Sequence, residues 1–164
     1  MNELYPWWVY LHVFGAFVFA AAHGVSAVAS FRVRATRDPA AIRALLDLSG
    51  VAIGLMYLGL LLLLVGGVVA GIVGNHFGRG WIWASLGLLI ATIVAMYLLA
   101  TPFYRRLREA VGAETRDGPA TDDVAAVAPA ELERLVSSSR PMVLAAVGLA
   151  GFASILWLMI EKPF

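Results

Sequence analysis

Hydrophobic positions along this chain come in long unbroken runs, not in the period of two that marks a half-buried strand. Four such runs occur, at about residues 5–31, 48–74, 81–102 and 141–160. Each is close to or above the roughly 20 residues that carry a helix across a hydrocarbon core. An open sheet in lipid would leave its backbone amides without partners, so helices are the only spanning structure these runs allow. The pattern predicts an all-α polytopic membrane protein, a bundle of four transmembrane helices forming one domain over residues 1–164, with connections at about 32–47 and 103–140.

Polar residues refine the ends of these elements. Asp38 followed by Pro39 has the form of an N-cap and first-turn proline. Helix 2 is therefore expected to start before the membrane, with Ile42, Leu45, Leu46 and Leu48 at helical spacing beside Arg43 and Asp47. Helix 3 is expected to continue past Pro102 through "TPFYRRLREAVG", because proline in a membrane helix bends more often than it ends the element. The stretch "AETRDGPATDDVAAVA" is polar, rich in small residues and predicted to be mobile, and "PAELERLVS" predicts a short helix leading to helix 4. The glycine-rich "GNHFGRG" is a tight turn, which predicts that helices 2 and 3 form a hairpin and pack side by side. Glycines recur in helix 2 at Gly50, Gly54, Gly59, Gly66, Gly67 and Gly71. Small residues four apart let helix backbones approach closely, and they also leave room for a flat ligand.

Composition agrees with a membrane location: 61% of residues are hydrophobic, and mean hydropathy is strongly positive. Absence of cysteine excludes disulfides, thiolate metal sites and iron–sulfur clusters. A signal peptide is disfavoured, because "MNELYP" has no basic residue, the first apolar run is too long, and arginines follow it directly. Net charge is only +1, with no signal for nucleic acid. The expected surroundings are the lipid bilayer and further copies of the chain or a larger membrane complex.

The basic residues are placed unevenly. Arg32, Arg34, Arg37 and Arg43 follow helix 1, and Arg105, Arg106, Arg108, Arg116, Arg134 and Arg140 follow helix 3. Both connections must share a side, and the positive-inside rule makes that side cytoplasmic, with both termini outside. Trp7, Trp8, Trp81, Trp83 and Trp157 then fall near the outer boundary, where amphipathic rings belong. A bacterial inner membrane is the expected location.

Candidate chemistry rests on histidine. His12 and His23 lie eleven residues apart, which at roughly 100° per residue is three turns plus about 20°, placing both on one face about 16 Å apart. They cannot share an ion, but each can serve its own layer. At the depth of His23 lie Met56 and Tyr57 on helix 2 and Met96 and Tyr97 on helix 3; imidazole with thioether suits haem iron or copper. In the outer layer, His12 is expected to approach His76 of the glycine turn, giving a two-imidazole metal site. The bland alternative is a set of interhelical hydrogen bonds, with His23 reaching Ser26, Tyr57 or Tyr97. No Lys, Arg, Asp or Glu lies in the four spans, which disfavours an ion pump or proton-coupled carrier. Phosphate loops, zinc-protease motifs and nucleophile–base pairs are also missing, so any chemistry falls to a cofactor.

An N-terminal W-x-x-L-H at Trp8, Leu11 and His12, arginines directly after helix 1, and a second helix opening on Asp38–Pro39 resemble the copper-resistance D-type membrane proteins. Uncharacterised predicted integral membrane proteins related to them share these features, as, more distantly, do the four-helix membrane protoporphyrinogen oxidases. The oxidase resemblance implies haem b at a helix 1 histidine, matching His12, although the lysine that group carries in its third span has no counterpart here. The copper-resistance resemblance implies copper passage through His12, His23 and methionines. The uncharacterised relatives imply no activity. Three functions follow as expectations: an electron-transfer protein holding haem, a copper-handling protein, and an accessory subunit without a cofactor of its own.

Overall fold

The computed structural model describes residues 3–113 and 129–164. The polar stretch expected to be mobile, 114–128, lies outside the described residues. Among the described residues five helices follow one another: α1 (Tyr5–Arg34), α2 (Pro39–Val73), α3 (Gly80–Ala110), α4 (Pro129–Val136) and α5 (Arg140–Glu161). Among the described residues there is no strand, and four helices are long and apolar enough to cross a membrane. Asp38 caps α2, its carboxylate accepting from the backbone N–H groups of Ala40 and Ala41 at 3.1 and 3.3 Å. Pro102 lies inside α3 without ending it.

In lipid there is no hydrophobic drive between apolar helices, so close backbone approach decides which of them pair. α1 and α2 are antiparallel and meet along most of their length. Buried small residues recur every seven positions on both, Gly15, Ala22 and Ala29 on α1 and Ala52, Gly59 and Gly66 on α2. A methyl built on Gly66 would lie 2.5 Å from the backbone nitrogen of His12, and one on Gly59 would lie 2.6 Å from that of Phe19. One on Gly15 would strike the backbone of Leu63. A seven-residue repeat corresponds to 3.5 residues per turn, the period at which two helices stay in register by winding left-handedly around each other.

This seam differs from the expected four-residue spacing. Gly54 has open space where a side chain would be, and the neighbour of Gly50 is the far end of Arg108. Gly67 and Gly71 do provide slots for flat groups, but the occupants are the chain's own rings, His12 against Gly67 and Phe77 against Gly71.

α3 pairs with α5, where Gly151 receives Thr92 and the backbone N–H of Trp81 donates to Phe164 O at 3.2 Å. α1 touches α5 at one level, where Gly148 receives the ring of His23. The ring of helices therefore runs α2, α1, α5, α3. The expected side-by-side packing of helices 2 and 3 is not found: α2 and α3 are joined at both ends, yet their backbones hardly approach. One physical reason lies in the turn. The Phe77 ring stands between Gly71 and Trp83, 5.9 Å from the indole, and the Trp83 Nε1–H donates to Phe77 O at 3.0 Å, so an aromatic wedge separates the two helix ends. The glycine face of α2 is meanwhile taken by α1.

A buried apolar cluster lies at the arginine-rich end. Val33, Ile42, Leu46, Phe103, Leu107, Val111, Leu135 and Val136 form one apolar cluster there, uniting α1, α2, α3 and α4. Two arginines clasp it. Arg43 donates to the Val111 carbonyl through Nη2 at 2.8 Å and Nε at 3.2 Å, and the Arg108 Nη2 donates to Leu46 O at 2.6 Å. Outside them, Arg37 forms a two-pronged pair with Glu133, at 2.6 and 2.9 Å. By contrast, the apolar window of α3 is only 6% buried.

Candidate functional site

α1 presents its two imidazoles to different neighbours. His12 lies where the α1–α2 seam is tightest, its ring over Gly67 and its backbone against Gly66. Its Nδ1 is 2.7 Å from Leu63 O. A carbonyl only accepts, so Nδ1 carries the hydrogen and Nε2 keeps its lone pair. That Nε2 is neither buried nor hydrogen-bonded among the described residues. Such a tautomer, fixed by one backbone acceptor, is the form in which histidine binds a metal.

His23 is the reverse case. Its ring lies parallel to that of Phe19, with centroids 6.3 Å apart, and its Nε2 is buried against α5 at Gly148 with no hydrogen-bond partner among the described residues. The expected partners do not answer it. Tyr57 and Tyr97 are 63% and 64% exposed, and the Ser26 hydroxyl pairs with Ser49 at 2.7 Å. Supercoiling explains why the two imidazoles separate. At 3.5 residues per turn, eleven residues turn about 50° beyond three full turns, not 20°, so the shared face has rotated from α2 towards α5.

His76 belongs to a third layer. Its Nε2 and the Tyr5 hydroxyl are hydrogen-bonded at 3.2 Å, and its ring lies beside Trp81, over which Lys162 places its ammonium at 5.7 Å. Tyr5 precedes His12 by seven residues, or roughly 10 Å of helix. His12 and His76 thus do not meet, and the two-imidazole site expected there is not formed. Among the described residues no group of three His, Cys, Asp or Glu is placed to hold a metal ion. Met56 keeps the depth of His23 by the α1–α2 register, whereas Met96 sits on α3, which scarcely approaches α1.

A polar layer missed by the sequence reading lies one turn beyond His23, towards the arginine-rich end. The Tyr104 hydroxyl donates to Ser30 Oγ at 2.6 Å, Ser30 Oγ donates to Ser26 O at 2.7 Å, and Ser26 pairs with Ser49. These contacts tie α1, α2 and α3 together. Ser26 and Ser30, one turn apart on the face that carries His23, were the available signal, but serine is too common in membrane helices for the spacing to stand out.

Residues 7–163 match the family described as Predicted integral membrane protein (DUF2269). The chain belongs to this family. No curated protein and no solved structure matches. DUF2269 membership supports integration into a membrane and the resemblance to uncharacterised predicted integral membrane proteins. It carries no activity, and the copper-resistance and protoporphyrinogen oxidase likenesses find no support in it.

Proposed function

We propose that this DUF2269 protein holds a haem-type redox cofactor in a bacterial inner membrane, with His12 as the residue that would hold it. One observation carries the reading: the Nδ1–H of His12 is engaged by Leu63 O at 2.7 Å, which leaves Nε2 without a hydrogen-bond partner among the described residues. In a hydrocarbon phase an imidazole nitrogen without a partner is costly, so an electrophile there is favoured. Haem b would supply one-electron chemistry, while the chain's own part is to fix the tautomer and the position of the ligand. His23 fits less well, because Nε2 is closed off by α5. A second ligand would come from another copy or a larger complex. Copper is less favoured, since His12, His23, His76 and Met96 do not converge.

The test is an absorbance spectrum of the detergent-solubilised protein from haem-replete cells. A Soret band is expected, lost in His12→Ala and kept in His23→Ala. A colourless wild-type preparation would sink the proposal. A second reading, an accessory subunit of a larger complex, draws support from α3, whose apolar window is only 6% buried. Stoichiometric co-purifying partners with neither pigment nor copper would favour it.

The arginines at one end and the indoles at the other support an orientation with the arginine-rich end in the cytoplasm and both termini outside. The chain has no cysteine of its own, so single thiols report cleanly. In intact cells a membrane-impermeant maleimide is expected to label Gly78→Cys, and to label Thr36→Cys only after lysis. The opposite pattern would reverse the topology.

A further inference from the structure

The open side of the bundle lies between α2 and α3, and the two clasping arginines set its register. Arg43 reaches the carbonyl of Val111 from α2, and Arg108 reaches that of Leu46 from α3, so the same antiparallel register holds through both contacts. Fourteen residues inward from Arg43 is Tyr57, and fourteen inward from Val111 is Tyr97. The two tyrosines therefore sit at one level, about 14 Å past Leu48 at 1.5 Å per residue, well inside the hydrocarbon.

They also occupy facing sides. Tyr57 follows Gly50 by two turns, and a Cβ at Gly50 would lie 3.4 Å from the Arg108 guanidinium, which marks that side of α2 as the one turned to α3. Tyr97 precedes Arg108 by eleven residues, three turns to within about 20°. Both rings are more than 60% exposed, and neither hydroxyl has a hydrogen-bond partner among the described residues. A hydroxyl left without an acceptor in hydrocarbon is costly, and acyl chains offer none.

The occupant must bring acceptors to that depth, one towards each wall. Phospholipid esters lie at the headgroup boundary. A helix from a second copy has already used its carbonyls internally. A ring with carbonyl oxygens on opposite edges and an apolar tail meets both demands. We propose that the side between α2 and α3 is a binding slot for a lipid-soluble quinone, its two carbonyls accepting from Tyr57 and Tyr97 and its tail lying between the exposed Leu61 and Ile93. This site does not depend on a cofactor at His12.

The test uses the full chain in phosphatidylcholine nanodiscs, an azido-ubiquinone photoprobe, and decylubiquinone as competitor. Labelling is expected on α2 and α3, competed by decylubiquinone. Tyr57→Phe or Tyr97→Phe is each expected to weaken apparent affinity about fivefold, the loss of one neutral hydrogen bond, with Tyr10→Phe unchanged. These substitutions remove one oxygen each and leave the helices intact, which circular dichroism checks. Equal labelling of the Tyr57→Phe, Tyr97→Phe double variant, or labelling confined to α1 and α5, would overturn the assignment. So would a disulfide between copies through Gly54→Cys that forms in the nanodisc and blocks the probe.

Discussion

Gly66→Leu is expected to drive α1 and α2 apart and to be the most damaging single substitution in the chain. Even a methyl at this position would meet the His12 nitrogen at 2.5 Å and the His12 Cα and Trp8 carbonyl oxygen at 3.0 Å. All three atoms belong to backbone, so no rotamer change can make room. Overpacking of well-packed sites costs about 1–3 kcal/mol where neighbours can adjust. Here a Gly66→Ala variant should lose at least that much, and the leucine variant more. The control is Gly54→Ala, which adds a methyl into open space and removes a glycine from a helix interior, with an expected effect from zero to about 1 kcal/mol stabilising. Equilibrium unfolding in mixed micelles, followed by circular dichroism, measures both. Equal stability of Gly66→Leu and wild type would mean that the seam is not what holds the pair.

The second large effect is expected from removing both clasping arginines. Arg43 and Arg108 each donate to a backbone carbonyl at 2.8 Å or less across the α2–α3 gap, and Arg108 is also 3.3 Å from Asp47. Hydrogen bonds to charged donors contribute about 1.5–3 kcal/mol each. The side chain of Arg108 is only 23% exposed, so it keeps more of that value than a surface ion would. The Arg43→Ala, Arg108→Ala double variant should therefore lose roughly 3–5 kcal/mol, with some shared cost because both arginines act on one gap. Arg108→Lys should recover little, because a single ammonium cannot reproduce the planar fork. The Arg37–Glu133 pair serves as the contrast: both side chains are more than half exposed, and Arg37→Ala should cost less than about 1 kcal/mol. If the double variant unfolds within about 0.5 kcal/mol of wild type, the apolar cluster alone closes that end.

Much of the architecture was legible before any coordinates. The apolar runs, the Asp38 cap, the passage through Pro102 and the short helix before α5 are local properties, written in the residues that form them. Pairing between helices was not. Gly50, Gly54, Gly59, Gly66, Gly67 and Gly71 contain both a four-residue and a seven-residue spacing, and α2 alone does not distinguish them. The decision comes from α1, where Gly15, Ala22 and Ala29 repeat at seven and supply the matching small surface. The hairpin expectation failed for a related reason: a short turn fixes where two helices begin, and Phe77 and Trp83 then hold those beginnings apart. For the candidate site, depth could be counted from the sequence and orientation could not. Met56 does share the level of His23, but the direction of each imidazole depends on how far α1 is wound by its partner. Tyr104, Ser30, Ser26 and Ser49 form a connected layer that no spacing rule predicts, because its members come from three helices.

The composition of the α1–α2 seam bears on the order in which the molecule comes together. Glycine and alanine have no rotamers to freeze, so zipping Gly15, Ala22 and Ala29 against Ala52, Gly59 and Gly66 sacrifices almost no side-chain entropy. The two partners are also separated by only Ala35–Asp38, a shorter loop closure than the one between α2 and α3. This pair is the natural first product of insertion. It forms a preassembled strut against which α3 and α5, closing a much longer loop and anchored through Gly148, dock afterwards.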